Sequence, residues 1–317
     1  MQEKMNPTIQ KIIQNVENVI IGKTEVAKLS LVALLAKGHL LLEDVPGVGK
    51  TMLVKALAKS IQADYKRIQF TPDLLPSDVT GISIYNPKEH EFMFRPGPIM
   101  GNIILADEIN RTSPKTQSAL LEAMEEHRVT VDGVTHRLDS PFFVMATQNP
   151  IEYEGTYSLP EAQLDRFLIK TRMGYPDRGD EVVILMNARM QASTDSLEPV
   201  ISLKEMADLQ EEVQSVFVDE SIARYIVDLM TKTRNDKRVY LGVSPRGSIA
   251  LMRASQAWAF IHGRNYCLPD DVQHLIPYVC SHRIIMKSEA LYEGIDAGAV
   301  LNEIMAKTPV PVQRQVN

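Results

Sequence analysis

The segment His39-Leu-Leu-Leu-Glu-Asp-Val-Pro-Gly-Val-Gly-Lys-Thr51 runs from an apolar stretch into a glycine-bearing turn and then into a helix start at Lys50. A strand this apolar is buried on both faces, so the chain must build an α/β layer around it. A second run, Ile103-Ile-Leu-Ala-Asp-Glu108, ends in two adjacent carboxylates. Gly47 and Gly49 let loop N–H groups turn inward around phosphate oxygens, and the helix behind them brings its positive end to the same point. Lys50 is placed to reach β- and γ-phosphates and Thr51 to hold Mg²⁺. Asp107 would position that ion through its water shell, and Glu108 would polarise an attacking water. The expected nucleotide contacts are Pro46, Gly47, Val48, Gly49, Lys50, Thr51, Met52 and Asp107, with ATP and Mg²⁺ as cofactors. One departure stands out: the pattern G-x-x-x-x-G-K-[ST] expects glycine at position 44, where this chain has Asp44.

At 317 residues and 44% hydrophobic content, the chain can bury a substantial core. No apolar run approaches 18 residues, which excludes a membrane-spanning helix, and the polar start at Met1 argues for cytoplasmic residence. Cys267 and Cys280 form no C-x-x-C and read as core residues. A formal charge of −6 has the wrong sign for a protein dominated by nucleic-acid backbone contacts, although a local basic pore stays open.

Short apolar runs predict strands over His39–Glu43, Lys66–Phe70, Asn102–Asp107, Phe142–Thr147 and Phe167–Met173. Helical spacing predicts helices over Thr24–Leu35, Lys50–Ile61 and Pro114–Glu126, with His127 a boundary residue. Two inserts break the alternation. Val79–Tyr85 with Glu91–Phe94 suits one hairpin; Arg128–Leu138, turning at Asp132-Gly133, suits another. Such inserts carry function or merely decorate a sheet edge. From Gly174 onward the strand pattern stops, and Ile222–Thr233, Pro245–His262 and Pro269–Ile284 are helical in period.

Gly47-Val-Gly-Lys-Thr51, Asp107-Glu108, Asn149, Leu164-Asp-Arg-Phe167 and Ser244-Pro-Arg-Gly247 together resemble the AAA+ superfamily. The phrases Glu43-Asp-Val-Pro-Gly-Val-Gly-Lys-Thr51, Asp107-Glu-Ile-Asn-Arg-Thr-Ser-Pro-Lys-Thr-Gln117 and Ala146-Thr-Gln-Asn-Pro150 resemble its MoxR branch, over nearly the whole chain. The resemblance implies a P-loop core with a parallel five-stranded sheet over residues 1–174, carrying a helix-2 insert and a hairpin before sensor 1. An all-helical lid then occupies residues 175–317. The branch tolerates Asp44 at the first glycine position, but a carboxylate near phosphates is unfavourable, so its side chain should point away. By the same resemblance Asn149 is sensor 1, Arg166 an arginine finger that reaches a neighbouring subunit, and Arg246 the sensor 2 arginine of the lid. Ile21 and Gly22 line the adenine pocket. Guanidinium suits both arginine roles because it is always charged and offers forked donors. Other readings stay open: Asn149 before Pro150 suits a turn, either arginine suits a surface ion pair, and Gly22 suits a helix boundary.

The expected function is Mg²⁺-dependent ATP hydrolysis by a ring, hexameric as the resemblance implies, that remodels or matures a client protein. The resemblance adds metal or cofactor insertion and a partner with a von Willebrand factor A domain. A nucleic-acid motor is the rival reading, kept alive by Arg128, His136 and Arg137 on the second hairpin. A nucleotide-gated scaffold is a third, against which Glu108 weighs; no N-K-x-D element supports a GTPase.

Overall fold

A computed structural model describes residues 5–150, 156–188 and 197–311. The chain opens with helices α1 (Pro7–Glu17) and α2 (Thr24–Leu35), then β1 (Leu40–Glu43), α3 (Lys50–Ser60), β2 (Tyr65–Gln69) and a short α4 (Pro76–Thr80). A hairpin of β3 (Gly81–Asn86) and β4 (Glu91–Pro96) precedes β5 (Ile103–Asp107) and α5 (Pro114–Glu126). A second hairpin, β6 (Arg128–Val131) and β7 (Val134–Arg137), leads to β8 (Phe143–Gln148), α6 (Glu161–Leu164) and β9 (Ile169–Thr171). The rest is helical apart from a two-stranded ribbon: α7 (Arg178–Ala188), α8 (Leu203–Gln214), α9 (Glu220–Asn235), β10 (Val239–Leu241), α10 (Pro245–Ile261), α11 (Pro269–Cys280), β11 (Ile285–Met286), α12 (Ser288–Tyr292) and α13 (Ala297–Ala306).

Five parallel strands lie in the order β2, β5, β8, β1, β9. Alternation along each strand splits the core in two. Leu40 and Leu42 join Ile103, Leu105 and Met145 on the face covered by α1, α2 and α3. Leu41 joins Ile104, Ala106 and Val144 on the face covered by α5. Helix α2 is apolar nearly all round, which suits an element covered on two sides. The sheet takes one side, and α8 and α10 take the other, so the first core runs unbroken to Met206 and Trp258. Gln210 seals the contact by donating to the Leu34 carbonyl oxygen at 2.6 Å. Farther along, His274 bonds Glu25 at 2.8 Å, and that hydrogen bond holds the Glu25 carboxyl below its usual range.

Helices α2 and α5 have the bounds that the spacing predicts. Strand β9 is shorter than the apolar run, because Leu168 N–H turns to the His39 carbonyl at 2.9 Å and the backbone beyond Thr171 bends to meet Asp44. Helix α11 stops at Cys280, where Ser281–Arg283 tighten into a 3₁₀ turn held by Arg283 on Asp165 at 2.6 Å. Both cysteines are buried, and burial pushes each thiol up to about 12, as befits core residues. The second hairpin turns at Asp132 and Gly133, both at positive φ, the geometry of a type I′ turn. His136 on that hairpin stacks on Phe94 of the first, with ring centroids 3.8 Å apart. Helix α7 differs from the others: Val182, Val183, Ile184, Leu185 and Met186 are apolar around the whole circumference, yet each keeps between 40% and 63% of its surface.

His39 pins the N-terminal end of β1. Its Nε2 donates to the Met124 carbonyl at 3.1 Å and its Nδ1 accepts from Val144 N–H at 3.0 Å, which fixes a neutral ring between α5 and β8. Burial drives its pKa from 6.5 down to about 4. A depressed histidine pKa stabilises the fold fully above pH 6.5, and that stabilisation is lost as pH falls toward 4. The loss amounts to roughly 2 kcal/mol by pH 5. Urea unfolding of wild type and His39→Gln should therefore diverge at pH 7 and converge near pH 5; parallel profiles would show that His39 is not the titrating group.

Candidate active site

Residues 44–49 leave β1 at its C-terminal end, beside β8, where the order of strands in the sheet reverses; ligands of open α/β sheets bind at such a point. Gly47 and Gly49 sit at φ +87° and +97°. An added Cβ at Gly47 meets nothing within 4 Å, so backbone conformation rather than crowding demands glycine there. Lys50 is buried at the start of α3, and its ammonium curls back to donate to the Asp44 carbonyl at 3.0 Å. The Asp44 carboxylate accepts from Met173 N–H and, at 3.0 Å, from Gly174 N–H. It therefore points away from the loop interior, as expected, and fastens the loop to the segment that leads into α7.

The paired carboxylates lie at the end of β5. Asp107 accepts from the Thr147 hydroxyl at 2.7 Å and from the Arg67 guanidinium at 2.6 Å. The same Thr147 oxygen accepts the Glu108 N–H at 2.8 Å. Glu108 takes a left-handed conformation, φ +58° and ψ +51°, which costs a non-glycine residue of order 1 kcal/mol or more. This twist swings its carboxylate toward Gln69, whose amide donates at 2.9 Å, and toward Arg111 at 3.3 Å. Asn149 follows β8 and is buried; Asn110 Nδ2 approaches its carbonyl at 3.4 Å. Adjacent strand ends thus bring Lys50, Asp107, Glu108 and Asn149 to one edge of the sheet.

Ile21 and Gly22 stand to one side of the loop. An added Cβ at Gly49 would lie 3.7 Å from Met173 and 3.8 Å from Ile20, so these two side chains flank the loop directly. Gly22, at φ +73°, lies beneath the Asp180 carboxylate, which fills the space that a side chain would need. A cleft of about 610 Å³ opens along Gly22, Lys23 and Tyr278 without touching residues 46–52.

Arg166 and Arg246 are brought together, but not with the loop. Arg166 lies just before β9, at the end of the sheet opposite residues 44–49; Arg246 lies in the first turn of α10, set there by the Ser244 cap and Pro245. Both reach Glu125 near the end of α5, Arg166 at 2.9 Å and Arg246 at 3.3 Å. Strands of this length separate the two ends by roughly 10 Å before the loop begins. In this arrangement neither arginine reaches residues 44–51 of its own chain, and Arg166, carried by the core sheet, is held at the opposite end whatever the lid does.

The residue reading missed Arg67, Gln69, Thr147, Met173 and Glu125. For two of them a signal exists: Arg67 and Gln69 are two apart on β2 and so share a face, and Gln69 lies opposite Asp107 in parallel register. Finding them requires knowing that β2 and β5 are neighbours.

With this geometry in place, comparison with known proteins gives a consistent answer. The family model for the ATPase family associated with various cellular activities (AAA) matches residues 39–169, and that for the AAA lid domain matches residues 231–304. The class is thus an AAA ATPase core with its lid. Uncharacterized protein YeaC of Bacillus subtilis is 63% identical over 99% of this chain and 98% of its own length. Chaperone MoxR1 of Mycobacterium tuberculosis is 41% identical over 98% of this chain and 83% of its own. A solved structure from Cytophaga hutchinsonii, described as an ATPase candidate, superposes with a TM-score of 0.90 at 39% identity, over 96% of this chain and 95% of that one. This chain belongs to the MoxR family of AAA+ ATPases.

Thr147→Val keeps the shape of the side chain but leaves Asp107 and the Glu108 N–H short of a partner. Losing a buried donor and acceptor costs roughly 1–3 kcal/mol. Chemical denaturation should register that loss, and ATP turnover should fall with it; a variant as stable and active as wild type would show that the hydroxyl organises neither carboxylate.

Proposed function

We propose that the chain is a Mg²⁺-dependent ATP hydrolase that assembles into a ring, most simply a hexamer, and spends hydrolysis on remodelling a client protein. The observation that carries this reading is the convergence of Lys50, Asp107, Glu108 and Asn149 on one sheet edge, together with the stranding of Arg166 and Arg246 at the other. In this reading the loop N–H groups and Lys50 hold the β- and γ-phosphates, which suits the positive-φ cradle at Gly47 and Gly49. Thr51 and Asp107 hold Mg²⁺, whose chemistry when bound is to neutralise charge on the transferring phosphoryl group. Glu108 accepts the proton of the attacking water and Asn149 orients it. Arg166 and Arg246 come from a second copy.

Two further features support self-association. A helix apolar on all sides belongs inside a core, and α7 finds none among the described residues. Its first turn carries Asp180, which lies over Gly22, so a copy that approaches the phosphate loop passes beside it. The arginine end offers exposed Tyr240, Leu241 and Ile249 to meet it. Because the two surfaces differ, such contacts run head to tail, the kind of contact from which a ring is built. The client role draws on the family and on a relative named as a chaperone. A cytoplasmic setting, metal or cofactor insertion and a partner with a von Willebrand factor A domain belong to the same reading, with the two hairpins facing the client. A nucleic-acid motor is less well supported than the sequence suggested: Arg128 pairs with Glu126 at 2.9 Å, and His136 is stacked on Phe94.

Glu108→Gln should bind MgATP and hydrolyse it at least a hundredfold more slowly, since the amide keeps the shape but accepts no proton. Affinity capture with this variant in the presence of ATP should retain the client; ordinary turnover would place water activation elsewhere. Arg166→Ala should fold and bind ATP while losing about 10³-fold or more in rate, the scale of an arginine finger. Mixed with Lys50→Ala under subunit exchange, it should regain activity, because some interfaces then pair an intact loop with an intact finger. Mixed rings seen by native mass spectrometry without activity would mean that Arg166 does not act across the interface.

A further inference from the structure

Glu125 lies in none of the motifs, yet both arginines at the far end of the sheet converge on it. One carboxylate oxygen takes Arg166 Nε at 2.9 Å and the other takes Arg246 Nη1 at 3.3 Å. Arg246 has a second, longer contact to Asp165 at 3.8 Å, and Asp165 in turn holds Arg283 at 2.6 Å. The residues line an open cleft of about 440 Å³ in which Arg166, Arg246, Arg253 and Arg283 face Glu125 and Asp165. Four guanidinia against two carboxylates leave an excess of positive charge, which suits an anionic group delivered from outside the chain.

We infer that Glu125 is the positioning residue for both arginines: it fixes the separation of Arg166 and Arg246 on one subunit so that they meet the terminal phosphate held by the next. This rests on the reading that Arg166 acts across the interface. Two guanidinia on separate elements, one before β9 and one at the start of α10, repel each other and sample many rotamers; a carboxylate bridging them offsets the repulsion and holds one arrangement. The Glu125 side chain is 38% exposed, and ion pairs at such exposure contribute little to stability. Its effect therefore falls on geometry. Misplacing a transition-state contact by about 1 Å costs on the order of a hundredfold in rate. Glu125 does not itself touch nucleotide in this scheme, so it differs in kind from the two arginines it serves.

The test compares Glu125→Ala and Glu125→Gln with wild type in the full-length chain, with ATP as the probe. Both variants should bind ATP with an unchanged dissociation constant and unfold at the same denaturant concentration, while kcat falls about tenfold to a hundredfold, less for the glutamine. Complementation then separates positioning from damage. Glu125→Ala mixed with Lys50→Ala should recover activity, because the lost function lies on the arginine side of the interface; mixed with Arg166→Ala it should recover none. Recovery with Arg166→Ala instead would place Glu125 on the loop side and overturn the inference. So would wild-type turnover in both variants, a rate above wild type, which would make Glu125 a brake, or intact mixed rings that recover with neither partner. If Arg166→Ala and Lys50→Ala fail to complement each other, the reading across the interface has failed, and the inference with it. Failure confined to the Glu125 mixtures leaves that reading standing and removes Glu125 alone.

Discussion

Strand β1 is four residues long and buried on both faces, so whatever hangs from its two ends is held apart at a fixed distance. At the C-terminal end hang the glycine-bearing loop of residues 44–49 and, through β5 and β8, the acidic pair and Asn149. At the N-terminal end hang His39 and, through β9 and α5, the arginine cluster. A parallel sheet imposes this division, since all strand exits share one edge and all entries share the other. His39 makes the entry edge rigid by bonding α5 and β8 at once. Rigidity there matters because Met124, its partner, is the residue before Glu125, so the ring that closes the core also sets the height at which the carboxylate emerges.

At the exit edge the same economy appears in Thr147 and Asp44. Thr147 is fully buried, and its single hydroxyl satisfies Asp107 while receiving the Glu108 N–H, which locks two neighbouring residues of opposite orientation to one strand. Asp44 occupies a position where glycine is usual, and a carboxylate aimed at phosphates would oppose binding. Turned outward, it becomes a tether between the loop and the backbone at Met173 and Gly174, the point where the sheet gives way to α7. On the proposed reading, a change in the loop on nucleotide binding meets this tether on the way toward the helical region. The Met173 side chain doubles the link by packing within reach of Gly49.

Local chemistry made much of this legible before any fold was known. Pro114 at the first turn and a boundary at His127 are written in the local sequence, and α5 has those bounds; Gly47, Gly49 and Asp132-Gly133 mark positive φ in the same way. The expected site residues on the exit edge do lie together because each belongs to a strand end that a short apolar run reveals. What adjacency does not encode is pairing across the sheet. The bond from Arg67 to Asp107 spans forty positions, and no local pattern in β2 marks it. Glu125 looks like one more solvated acid on an amphipathic helix until α10 and β9 arrive beside it. Nor could periodicity tell that α7 would find no cover among the described residues, because an apolar helical run reads the same whether its neighbours come from its own chain or from another.

The placement of Arg246 has the widest consequence. A lid arginine that reached back to its own phosphate loop would make nucleotide state a private matter of one subunit. Here the lid packs on α2 and on the entry edge of the sheet, through Gln210 and the continuous core that joins Leu34 to Trp258, and carries Arg246 to the side of Arg166. On the proposed reading, each subunit then lends its neighbour two cations mounted on different bodies, one on the sheet and one on the lid. Hydrolysis in one site becomes sensitive to how the neighbouring lid sits on its own core. A shift of that lid separates Arg246 from Arg166 and breaks the bridge at Glu125, so the bridge is the natural point at which a conformational change in one subunit is read as a change in rate by the next.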